Sequence, residues 1–152
     1  MSRWIGWVGV FAFVAVLGGC GMGMQQGPVA ANAMQETKLR EVGALYRLHQ
    51  VMLKKAPQSL KDFNRLGDAS SRGAYGAIRS GEVVVRWQAT LPDTDVEPSS
   101  TTSDEVLAYW KTVPDEGGPV LMLDRTVRKM TTEEFKAARL AGTAEAGPAK
   151  SR

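Results

Sequence analysis

Hydrophobic and polar residues repeat with two different periods along this chain. From Gln35 to Lys55 the residues Leu39, Val42, Tyr46, His49 and Leu53 recur at steps of three and four, and Leu45 and Met52 widen the stripe. Lys38, Arg40, Glu41, Arg47, Gln50 and Lys54 fall largely on the other side. This predicts one amphipathic helix with a solvated charged face, stopped by Pro57. Next, Ser59 followed by Asp62 marks a short helix start, because a serine hydroxyl caps a free N–H and a carboxylate complements the helix dipole. Leu60, Phe63 and Leu66 would face the core, and Gly67 would end the helix. Residues 70–81 predict one more helical turn that carries Tyr75 and Ile78 inward.

After Gly81 the period becomes two. Val83, Val85 and Trp87 point one way and Val84, Arg86 and Gln88 the other, which predicts a strand with one buried face. Three further strands follow at Val106–Trp110, Val120–Leu123 and Thr126–Met130, and Thr131 with Glu134 forms a capping box for a final short helix. Tyr109 and Trp110 are adjacent on a strand and so face opposite ways. A tight turn joins the last two strands at Asp124-Arg125. A type I′ turn would ask Arg125 for positive φ, so a type I turn with a bulge is expected. Nothing long enough for a parallel crossover lies between the later strands. The predicted fold is α+β: an N-terminal amphipathic helix packed on a small antiparallel sheet of about four strands, with the helices on one side.

Ahead of this lies an uncharged run, Trp4 to Leu17, preceded by Arg3, which is the only charge before Glu36. The run has the length of a secretory h-region, whereas a spanning helix needs about 20 apolar residues. Leu17-Gly18-Gly19-Cys20 resembles a bacterial lipobox, in which a branched aliphatic residue, two small residues and a cysteine are read by lipoprotein-processing enzymes. The resemblance implies cleavage before Cys20 and acylation of its sulfur, so residues 1–19 are a signal peptide. An uncleaved anchor helix and a small buried thiol are the alternatives. Residues 20–34 are then the lipidated cysteine and a flexible tether, 35–139 a single domain, and 140–152 a disordered tail. Taking Arg3 from the net charge of +3 leaves +2, and the basic residues are spread among acidic ones, so nucleic acid is not an expected partner.

The stretch Glu105 to Phe135 resembles the C-terminal end of a bacterial family of exported, pseudopilin-like proteins. In that family a His, nine residues and then Asp-Gly precede a strand and an M-T-x-E-E-F ending. The preceding helix and Pro57 to Phe63 resemble its N-terminal half. Gly117, Gly118 and Asp124 match, but Pro114 stands at the His position and Arg125 at the Gly position. No role of the family's His is carried over, and a lipobox replaces the retained fibre helix. The resemblance therefore implies a fold more than an activity.

Catalytic chemistry is not expected. His49 is the only histidine and lies on the apolar stripe, as a packed residue would. Cys20 apart, no thiol ligand or second imidazole exists for a zinc-type metal site. Asp93, Asp95 and Glu97 alternate as calcium ligands can, but Pro92 and Pro98 frame them and the turn lacks glycine, so a solvated loop is expected. No G-x-S-x-G elbow or phosphate-binding loop is present. The expected protein is not an enzyme and holds no cofactor or metal. It is a lipid-anchored envelope module, structural or protein-binding, attached to the membrane through palmitate-type chains on Cys20. It would face the periplasm or the surface, and Gly21 after the cysteine, where an Asp would mark inner-membrane retention, favours the outer membrane. The alternative is a small-molecule-binding lipoprotein with a cleft between helix and sheet, using Tyr75, Trp87 and Trp110 with Arg79 and Arg86.

Overall fold

The computed structural model describes residues 28–64, 66, 72–95, 97 and 102–144. Cys20, the segment before it, Gly67 and residues 145–152 lie outside the described residues. In chain order the elements are α1 (Pro28–Leu53), α2 (Leu60–Asn64), α3 (Arg72–Arg79), β1 (Val83–Trp87), β2 (Glu105–Trp110), α4 (Val113–Glu116), β3 (Gly118–Met122), β4 (Val127–Met130), α5 (Thr132–Ala137), β5 (Arg139–Leu140) and β6 (Thr143–Ala144). This is a mixed α+β fold with a mainly antiparallel six-stranded sheet. No helix among the described residues is long and apolar enough to cross a membrane.

Helix α1 begins at Pro28, so residues 28–34, expected as tether, are helical. Proline suits the first position of a helix, and three alanines follow it before Met34, each a strong helix former. At the other end the stripe stops at His49: Met52 and Leu53 are exposed, because Lys54 turns to a φ of 53° and the chain leaves the helix. Glu41, read as part of the solvated face, instead accepts from the N–H of Ala74 at 3.1 Å and so caps the start of α3.

The sheet has a core on each face. On one, Leu39, Val42, Leu45 and Tyr46 of α1 share a buried cluster with Phe63, Ile78, Val83, Val85, Trp87, Leu107 and Leu121. On the other, Val106, Val113, Val120, Met122 and Phe135 form a second cluster, with the Tyr109 ring tilted against Phe135 at 4.7 Å. Helices on one side only were expected. The second cover comes from α4, a single turn opened by Pro114, and from α5, whose capping box is present in both directions. Four residues of helix after a strand carry no periodic signal. A register shift between Val106 and Ala108 lets three successive residues of β2 be buried, one toward the second cluster and two toward the first.

Strands β1 and β2 pair only from Val83 to Val85 against Ala108 to Trp110. Where they part, the C-terminal segment bonds both: β5 runs parallel to Glu105 and Val106, and β6 antiparallel to Arg86 and Trp87. The Arg86 guanidinium donates to the carbonyls of Ala141 and Gly142 at 2.8 and 3.0 Å. Residues 140–144, expected to belong to a loose tail, are thus held by long-range pairing that composition does not encode. Gly142 makes this possible, with a φ of 44° and no room for a side chain: a Cβ there would sit 2.0 Å from the Trp87 carbonyl oxygen.

Gly142→Ala should therefore cost more than about 1 kcal/mol, while Gly76→Ala, at an open helical position on α3 where a Cβ meets nothing within 4 Å, should stabilise by about 0.5–1 kcal/mol. Urea midpoints of the two variants check this, and amide exchange should show residues 139–144 released in the first alone.

Candidate functional site

Residues 88–95, which leave β1, belong to no strand, and Gln88 turns them off the sheet with a φ of 62°. Helix α1 receives them. The Tyr46 hydroxyl donates to the Arg86 carbonyl at 3.2 Å and accepts from the Ala89 N–H at 3.0 Å. Burial pushes this phenol up to about 12, partly offset by the Ala89 bond. One helical turn on, the Gln50 amide bonds both backbone groups of Leu91, accepting at 3.1 Å and donating at 3.5 Å. Arg47 Nε then donates to the carbonyls of Thr94 and Asp95 at 2.7 and 2.9 Å.

The hairpin turn approaches the same loop from the other side. Arg125 N–H donates to the Met122 carbonyl at 3.0 Å and Met122 N–H to the Thr126 carbonyl at 2.8 Å. Leu123 and Asp124 keep negative φ while Arg125 takes a φ of 68°. This is a type I turn followed by a left-handed bulge residue, the expected switch. The switch does not spare Arg125, because the bulge position itself requires positive φ, at about 1 kcal/mol for a residue with a Cβ. The arginine is held there by its guanidinium, which donates to the Asp95 carbonyl at 2.6 Å and to the Glu97 carbonyl.

Between α1 and this turn lies a groove of about 630 Å3 lined by Arg40, Gly43, Ala44, Arg47, Arg125, Thr126 and Val127. Burial first, and then the neighbouring Arg47 charge, push the Arg125 pKa down, and Asp93, Asp95 and Glu97 offset this only in part. The lining itself holds three arginines and no carboxylate, while Asp93, Asp95 and Glu97 act on Arg125 from the adjoining loop. Sequence reading missed it because Arg47 and Arg125 are far apart in the chain and each looked like an ordinary surface charge. The signal that could have marked it was an arginine at a turn position where glycine would fit more easily.

The residues singled out from sequence do not meet in one cleft. Trp87 is fully buried against Phe63 at 5.3 Å, and Tyr75 packs half-buried on the same cluster. Trp110 lies half-buried under Lys38, and Arg86 is engaged with the C-terminal segment. His49 is buried edge-on to Phe63, with Nδ1 3.0 Å from the Lys55 carbonyl. Its Nε2 and Trp87 Nε1 have no partner among the described residues. Asp93 Oδ1 closes a local turn on the Asp95 N–H at 2.8 Å. Among the described residues no group of three or more His, Cys, Asp or Glu is placed to hold a metal ion. No protein-family model, curated protein or solved structure matches the chain.

Asp124 anchors the turn that carries Arg125. Its buried carboxylate accepts from Thr126 Oγ1 at 2.6 Å, from the Thr126 N–H at 2.9 Å and from the Ser103 N–H at 3.1 Å, and Arg128 stands 3.8 Å away. Burial raises its pKa, but these bonds and Arg128 outweigh burial and hold it below the ordinary value of 3.8. A carboxylate with a depressed folded pKa contributes stability above its unfolded pKa and loses it as pH falls through the folded one. Stability should therefore decline as pH drops below about 3.8, and Asp124→Asn should flatten that decline while lowering stability at neutral pH. Urea unfolding followed from neutral pH down to about pH 2 checks it.

Proposed function

We propose that this is a lipid-anchored protein of the bacterial cell envelope that acts as a structural or protein-binding module without catalysis of its own. The observation that carries this reading is Leu17-Gly18-Gly19-Cys20 placed at the end of an apolar run that follows Arg3. Cleavage before Cys20 and acylation of its sulfur and amine give two or three chains. Each buried methylene contributes about 0.8 kcal/mol, so such an anchor is essentially permanent where a single chain is marginal. The folded domain is read as pseudopilin-like, a long N-terminal helix against an antiparallel sheet. Its support is the order of α1 before β1 to β4 and the capped helix that follows Met130. With a lipid in place of a retained fibre helix, the domain presents itself singly at the membrane, on the periplasmic or surface side, and Gly21 favours the outer membrane.

Mass spectrometry of the protein from its native host should give an N-terminus at Cys20 carrying acyl mass, and labelled palmitate should enter the wild type but not Cys20→Ser. An intact Met1 terminus, or a Cys20 peptide without acyl mass, would overturn the anchor.

A further inference from the structure

The groove between α1 and the β3–β4 turn has walls of different character. Arg40, Gly43, Ala44 and Arg47 lie at i, i+3, i+4 and i+7, so they form one stripe along the helix. Glycine and alanine in the middle keep the floor low, and a Cβ on Gly43 would already touch Leu121 at 3.4 Å. Arg125, Thr126 and Val127 form the facing wall. Three of these seven lining residues are arginines and none is a carboxylate.

The arginines are not equally engaged. Arg125 is fixed on the loop carbonyls and serves as a rigid charged wall. Arg47 bonds the loop carbonyls of Thr94 and Asp95 through Nε. Arg40 is exposed and makes no hydrogen bond or ion pair among the described residues. A guanidinium beside another, over a partly apolar floor, is where a carboxylate gains most, since Arg presents paired donors to it in fixed geometry. Asp93, Asp95 and Glu97 act on Arg125 from the loop, and none of them lines the groove.

We propose that this groove seats an acidic peptide segment of a partner protein. One carboxylate of the segment meets Arg40, a second meets Arg47, and an apolar side chain between them lies on Ala44 and Val127. The shape favours a peptide over a small inorganic anion: Arg40 to Arg47 spans about 10 Å of helix at 1.5 Å per residue, the length of about three extended residues. Recognition of acidic motifs by arginine clusters is a recurrent mode of peptide binding. The inference rests on the reading of the domain as a protein-binding module and says what that module takes.

The probe is a fluorescein-labelled hexapeptide, Glu-Leu-Glu-Glu-Leu-Glu, titrated by anisotropy against the purified full chain in neutral detergent at low ionic strength. Its counterpart with Gln for every Glu is the control. The acidic peptide should bind at least about tenfold more tightly than the control, and the preference should shrink as salt is added. Arg40→Glu and Ala44→Trp, both at exposed helix positions, should each weaken binding of the acidic peptide by a similar factor while leaving the urea midpoint in place. Equal binding of the two peptides, no binding of either, or variants that bind like the wild type would overturn the proposal. Displacement of the peptide by an equal concentration of inorganic phosphate would also overturn it, by reducing the site to one for small anions. None of these outcomes touches the acyl mass on Cys20, so the groove and the anchor fail separately.

Discussion

A backbone that leaves a sheet must still satisfy its buried N–H and C=O groups, and here helix α1 does so for the stretch after β1. Tyr46 holds Arg86 and Ala89, Gln50 holds Leu91, and Arg47 holds Thr94 and Asp95. The three side chains lie within little more than one turn of helix, so they fix the loop against the helix as a unit. Three consequences follow. Trp87 is pinned into the core just before the turn at Gln88, the end of β1 is held where the C-terminal segment can bond it, and the loop is brought within reach of Arg125. The charged groove is a by-product of the same arrangement.

The cost of this design is visible in the aromatic cluster beside it. Tyr46, His49 and Trp87 all surround Phe63, with ring separations of 6.1, 6.4 and 5.3 Å. Of the three, the tyrosine both donates to and accepts from the backbone, at Arg86 and Ala89. His49 Nε2 and Trp87 Nε1 are buried without partners among the described residues, a loss of about 1–3 kcal/mol for each group left unmade. Burial of the large rings outweighs it, because each aromatic removes well over 100 Å2 of surface from water.

Where one physical signal dominates locally, the chain could be read directly. The alternation in β1 marks its buried face because Val83, Val85 and Trp87 have no competing partner, and the capping box at Thr131 and Glu134 is present in both directions because its two bonds span only three residues. The features that escaped are those decided at long range. Residues 140–144 have the composition of a tail, yet strand ends more than thirty positions away claim them. Glu41 had read as solvated until α3 brought an unpaired N–H to it. The turn type at Asp124-Arg125 was legible, but the reason the arginine remains there was not, since that reason is a pair of carbonyls in another loop. The candidate groove lay wholly in this second category.

The central claim is that side chains of α1 supply the hydrogen bonds the chain needs after β1, and the Tyr46 hydroxyl tests it most directly. Tyr46→Phe keeps the ring and its contact with Phe63 but leaves the buried Ala89 N–H without an acceptor. Urea unfolding of the full chain should show a loss of about 1–3 kcal/mol. Amide exchange should show Ala89 and Leu91 losing protection while Val120 to Met122 keep theirs. An unchanged urea midpoint together with full protection at Ala89 would contradict the account.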